Sequence, residues 1–129
     1  MSQNIFNLKN PMLYRCNVLH YHNRLSRLYI RIFRGQQQTP AFYLLFSDAG
    51  YYEGPLTWQG ADFGIASHDD CIDLMLRTGM IGEAVLQFPD AYAAITDTAH
   101  LYVVTTTQAP VRFIAGEAIR LNDLPDEMR

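Results

Sequence analysis

Between residues 41 and 66 the chain gathers four of its eight glycines and its only tryptophan among aromatic side chains, and this stretch limits what the rest can fold into. It opens on Phe42-Tyr43-Leu44-Leu45-Phe46, five residues apolar on both faces of an extended chain, which implies a strand covered on both sides. Gly50, Gly54, Gly60 and Gly64 then interrupt Tyr51, Tyr52, Trp58 and Phe63. Rings supply buried area, and glycine admits positive φ or close backbone approach. The stretch therefore reads as a central strand, a sharp corner and a second strand.

The segments around it carry their own periods. Over residues 25–34, Leu28, Ile30 and Ile32 alternate with Arg27, Tyr29, Arg31 and Phe33, the two-residue period of a half-buried strand. An earlier strand spans residues 12–20, with a turn at 21–24. The polar loop at 35–40 closes a hairpin or meander onto the central stretch. Ser67 precedes Asp69 and Asp70, a cap and two first-turn carboxylates. Cys71, Leu74 and Met75 follow as one apolar stripe and Gly79 as a terminator, so a helix is expected over residues 69–78. Residues 80–88 fit a loop and strand or a short helix ending before Pro89, and residues 91–95 fit either. Strands are expected at 99–107 and at 111–121, the latter broken at Gly116. Residues 1–11 form an N-terminal arm and 122–129 a polar tail.

Runs of strands around one helix imply a single α+β domain. Its mainly antiparallel sheet is expected to be strongly curved by the glycines, as a half-open barrel or roll, with one principal helix packed against it. Phe42, Leu44, Phe46, Ile30, Ile32 and Trp58 are the expected core. With 49% hydrophobic and 18% charged residues among 129, the chain has the balance of an ordered globule. No run of about 18 apolar residues is present, and the first residues lack a basic, then apolar, leader, so a cytoplasmic location without membrane attachment is expected. Cys16 and Cys71 have no metal or redox spacing and read as reduced, partly buried thiols.

Charge is unevenly placed. Lys9, Arg15, Arg24, Arg27, Arg31 and Arg34 stand in the first 34 residues without a carboxylate, while all 13 Asp and Glu lie beyond them. A basic segment in an acidic chain either packs beside acidic neighbours or faces something anionic.

Chemical motifs are sparse. His20-x-His22 offers two imidazoles but names no third ligand, so no metal is expected. His68-Asp69-Asp70-Cys71 brings base, acids and thiol together in sequence, yet neighbours on a helix do not face one another and capping explains them. Glu53, Asp62 and Asp48 beside aromatic rings fit a sugar or flat-ligand site without selecting a pair. No phosphate loop or dinucleotide fingerprint occurs, and no cofactor is expected.

A non-catalytic binding or assembly module follows from the missing catalytic signature and from 8 Tyr and 7 Phe, more rings than a small core buries. Arg27, Tyr29, Arg31 and Phe33 are its expected interface and a homodimer its expected form. Two other readings compete. One is nucleic-acid binding through the basic 12–34 hairpin; the other is a small-ligand binder or enzyme using Tyr51, Tyr52, Glu53, Trp58 and Asp62.

Overall fold

The computed structural model describes residues 4–22 and 27–123; the side chains of His20, Tyr21, His22 and Thr96 lie outside this description. A single 3-10 turn at Pro11–Leu13 leads into β1 (Tyr14–His22), β2 (Arg27–Arg34) and β3 (Phe42–Phe46). Three short strands follow, β4 (Tyr51–Glu53), β5 (Thr57–Gln59) and β6 (Asp62–Ile65), then helix α1 (His68–Arg77). A 3-10 segment at Glu83–Gln87 precedes helix α2 (Pro89–Thr98), and β7 (His100–Thr105), β8 (Val111–Ala115) and β9 (Ala118–Leu121) complete the chain.

The architecture is α+β, with two antiparallel sheets and two helices. One sheet has the order β5-β1-β2-β3-β9 and the other β4-β8-β7-β6. The barrel or roll expected from the glycines is not formed, since neither sheet is strongly curled or closed. The glycine-rich stretch changes sheets instead of bending one. The chain passes from β3 in the larger sheet to β4 in the smaller, back to β5, and across again to β6. So the stretch holds four strands, not two. Gly54, at φ 135°, lies against Val111, and Gly60, at φ 118°, lies against the backbone of Thr105 and Thr106; both crossings need a residue without a side chain.

Alternation assigns each strand face to a layer. Cys16, Leu28, Ile30, Ile32, Phe42, Leu44 and Phe46 point from the larger sheet into one core with Phe63, Tyr102, Val104, Val111, Phe113 and Ala115 of the smaller. Phe46 is at its centre, with ring centroids 4.6 Å from Phe113, 4.9 Å from Tyr102 and 6.0 Å from Phe63. Every expected core residue is buried. The opposite face of the smaller sheet carries Leu101, Ile114 and Val103, and it is covered by Cys71, Ile72, Leu74 and Met75 of α1 with Tyr92 and Ile95 of α2. Three layers result: sheet, sheet, helices.

Helix α1 begins as its sequence implies. Ser67 accepts from the Asp70 amide at 3.1 Å, and Gly79, at φ 78°, follows the last turn. The second helix, α2, adds to the one principal helix expected and takes up residues 91–95, which fitted either element; Pro89 starts it, and the short helical segment before Pro89 is the 3-10 turn at Glu83–Gln87. The expected strand at 111–121 is two strands in different sheets, parted at Gly116, where a Cβ would press on Ser47 and Asp48. The 35–40 loop closes the β2–β3 hairpin. The expected turn at 21–24 meets β1, which runs to His22; residues 23–26, and the tail beyond 123, lie outside the described residues.

The described part of the N-terminal arm is integral to the sandwich. The Ile5 amide donates to the Phe63 carbonyl at 2.9 Å, the Asn4 side chain donates to the Ala61 carbonyl at 2.7 Å, and Phe6 meets Phe46 and Phe63 edge-on. Among the described residues, no helix is long and apolar enough to cross a membrane.

Candidate functional site

Two regions gather charged side chains beside apolar ones: the outer face of the larger sheet, and a groove where its edge meets the smaller sheet.

On the outer face, pairing aligns Arg15 beside Phe33, Asn17 beside Arg31, Arg31 beside Tyr43, Tyr29 beside Leu45, and Leu45 beside Ile119. Arg27, Tyr29, Arg31 and Phe33 therefore share one face, as alternation implies. They are not equally available. Tyr29 is only 2% exposed and Phe33 7%, so both rings are buried within the face. The Arg15 guanidinium sits 4.4 Å from the Phe33 ring centroid and that of Arg31 5.7 Å away. Arg31 donates to the Asn17 side-chain oxygen, from Nε at 3.0 Å, and Arg15 donates to the Gln37 carbonyl at 3.1 Å. These acceptors are neutral, so among the described residues no carboxylate pairs with Arg15 or Arg31. No helix lies here; both helices cover the other sheet.

The residues grouped around the aromatic stretch are dispersed. Tyr51 bonds Glu53 at 3.2 Å, and Glu53 pairs with Arg112 on the helix-covered side of the smaller sheet. Tyr52 points the other way and stacks on Phe113 in the core. Burial pushes its phenol pKa upward, with the Cys16 thiol a secondary influence. Trp58 is buried in the other sheet and donates to the Gly60 carbonyl at 2.8 Å. Asp62 lies on β6, at the opposite edge of the smaller sheet from β4. Glu53, Asp62 and Asp48 thus share no site.

The thiols are structural. Cys16 is fully buried, donates to the Gly60 carbonyl at 3.4 Å, and has its pKa raised by desolvation, which an interaction with Trp58 only partly offsets. Cys71 lies between α1 and the smaller sheet, and burial raises its pKa too. A nucleophile needs the reverse. His68, exposed at the start of α1, meets His100 with ring centroids 6.3 Å apart, a proximity the sequence did not signal. No group of three or more His, Cys, Asp or Glu suited to a metal occurs among the described residues, and the side chains of His20 and His22 lie outside them.

The groove was not legible in the sequence. It encloses about 400 Å³, and its lining comes from the arm (Ile5, Phe6), the end of β6 (Ile65), the start of β7 (His100, Tyr102) and β9 with its approach (Glu117, Ala118, Arg120). A smaller cavity of about 240 Å³ shares His100 and Glu117 and adds Ser47, Asp48, Asp97 and Thr98. Tyr102 donates to the Gly116 carbonyl, and burial, reinforced by Glu117, pushes its phenol up to about 12. Arg120 lies 4.0 Å from the Phe42 ring centroid. No family model matches the chain, and neither a curated protein nor a solved structure matches it.

Proposed function

We propose that this protein is a non-catalytic assembly module that associates with further copies of itself, the outer face of the larger sheet of one copy docking on the helical layer of the next. The observation that carries this reading is the separation of charge by layer. The outer face of the larger sheet carries Arg15, Arg27 and Arg31, and the strands of that sheet contain no carboxylate. The helical layer contains Asp69, Asp70, Asp73, Glu83, Asp90 and Asp97, all exposed, against Arg77 alone, which pairs with Asp73 at 3.1 Å. The two outermost layers thus carry opposite charge.

Apolar groups accompany both. Ile119 is exposed on the basic face beside half-buried Tyr43 and Leu45, and Leu86 and Phe88 are exposed between the helices on the acidic one. Complementary charge sets orientation and encounter rate, while buried apolar area holds the contact. An isologous contact centred on Arg31 would set like charges of two copies against one another, which favours head-to-tail association over a homodimer through this face. The buried rings also weaken the nucleic-acid reading, because base stacking needs open aromatic faces and Arg15 occupies that of Phe33.

Light scattering over a concentration series tests this. Mass should rise above 14.8 kDa with concentration, fall back at high salt, and stay monomeric in an Arg15→Glu, Arg31→Glu variant whose circular dichroism is unchanged. A wild-type mass that never exceeds the monomer overturns it, and loss of single-stranded nucleic-acid binding in that variant would favour the nucleic-acid reading.

A further inference from the structure

We infer that the groove between β9, the β6–β7 edge and the N-terminal arm is a binding site for a small zwitterion with an apolar body, of the class of an apolar α-amino acid. The inference is independent of self-association, since it uses a different surface.

Three features carry it. The first is volume: about 400 Å³ suits a small molecule and is within the range of ligand pockets. The second is a floor of inward-facing positions left uncovered at the sandwich edge. Ile65 pairs with Tyr102, and both follow the core residues Phe63 and Val104 in alternation, yet Ile65 is 49% exposed. Ile65 with half-buried Ile5, Phe6 and Ala118 forms an apolar surface that solvent reaches, and buried Tyr102 completes the lining. The third is the set of charges above it. His100, Glu117 and Arg120 line the groove, and none makes a side-chain hydrogen bond or salt bridge with a described residue. Glu117 and Arg120 stand three residues apart and do not pair with each other. Arg120 is instead held over the Phe42 ring, which fixes its guanidinium and leaves its N–H groups to an outside acceptor.

One unpaired cation and one unpaired anion over an apolar floor recognise a ligand with both charges. A carboxylate suits the planar fork of Arg120, an ammonium suits Glu117, and an alkyl or aryl group covers Ile65, Phe6 and Ala118. His100, between groove and smaller cavity, offers a further donor to the carboxylate or an acceptor to the ammonium. A simple anion would face Glu117, and a simple amine Arg120, so each half-ligand meets an uncompensated like charge.

Ligand-observed NMR with L-phenylalanine on the full chain, beside phenethylamine and 3-phenylpropionate, reads all three elements. Saturable binding of L-phenylalanine is expected, with each half-ligand weaker by about tenfold or more. Arg120→Gln should erase the advantage over phenethylamine and Glu117→Gln that over 3-phenylpropionate; both side chains are exposed, so folding is retained. Ile65→Arg, which places a charge on the floor, should abolish binding of all three probes. Absence of saturable binding to the wild type, or equal affinity for the zwitterion and both half-ligands, overturns the inference. Binding that survives Ile65→Arg does so as well.

Discussion

Trp58 shows how much of one residue's role follows from local pattern and how much from distant partners. Its place among the apolar members of the strand patterns argued for the core, and it is 5% exposed. That its indole shares the Gly60 carbonyl with the Cys16 thiol depends on β5 pairing with β1, where Trp58 stands opposite Cys16. Trp58→Ala should cost about 3–5 kcal/mol, the range for deleting a packed aromatic ring, as measured by urea unfolding. A loss below about 1 kcal/mol would place the ring at the surface. The buried phenols and thiol make a second prediction. Tyr102, Tyr52 and Cys16 have raised folded pKa values, so their neutral forms are favoured in the native state. The unfolded chain, whose thiols and phenols ionise near 9 and 10, then releases protons first. The stabilisation is complete below pH 9 and is lost as pH rises through the Tyr102 value of about 12. Unfolding midpoints at pH 8, 10 and 11.5 should fall in that order, and Tyr102→Phe should make the fall shallower. A flat profile would mean that these groups reach water.

Elements with a strong internal period were legible, and elements set by pairing were not. Leu28, Ile30 and Ile32 against Arg27 and Arg31 announce β2, and Ser67 followed by two aspartates announces α1. Helix α2 stayed ambiguous because Ala91, Ala93 and Ala94 give it little contrast between faces, and Pro89 reads as a stop as readily as a start. Alternation says which side chains share a face but not which strand lies beside it. Hence the β3–β9 and β1–β5 pairs, and with them the division into two sheets, had no local signal. The groove escaped for the same reason: Phe6, Ile65, His100 and Arg120 belong to four segments that only the tertiary fold brings together. The crossings between sheets can be tested against the helix cap. Gly60→Ala places a Cβ 2.8 Å from the Thr105 carbonyl oxygen at a φ that other residues rarely adopt. It should destabilise by about 3 kcal/mol or more, whereas Ser67→Ala, which removes one capping bond, should cost about 1 kcal/mol. Equal, small losses in thermal unfolding would mean that the β5–β6 crossing relaxes around a side chain.

At the scale of the whole molecule, the order of layers decides where stability resides. The smaller sheet is the middle layer, with the larger sheet on one face and α1 and α2 on the other. Within it β7 and β8 are the interior strands, hydrogen-bonded on both sides, and their side chains enter both cores: Tyr102, Val104 and Phe113 one, Leu101 and Ile114 the other. The larger sheet has interior strands too, but helices cover neither of its faces. Local opening is cheapest where few buried contacts are lost, and exchange through global unfolding is confined to segments that no smaller opening exposes. Amides of β7 and β8 should therefore exchange last with deuterium. Those of β9, an edge strand beside the proposed ligand groove, and of α2, whose exposed face is broad, should exchange first among the regular elements. The first residues of β7 are an internal comparison, since His100 borders the groove while Val104 is fully buried. If β9 or α2 proved as protected as β8, the middle sheet would not be the most stable unit, and the three layers would open as one.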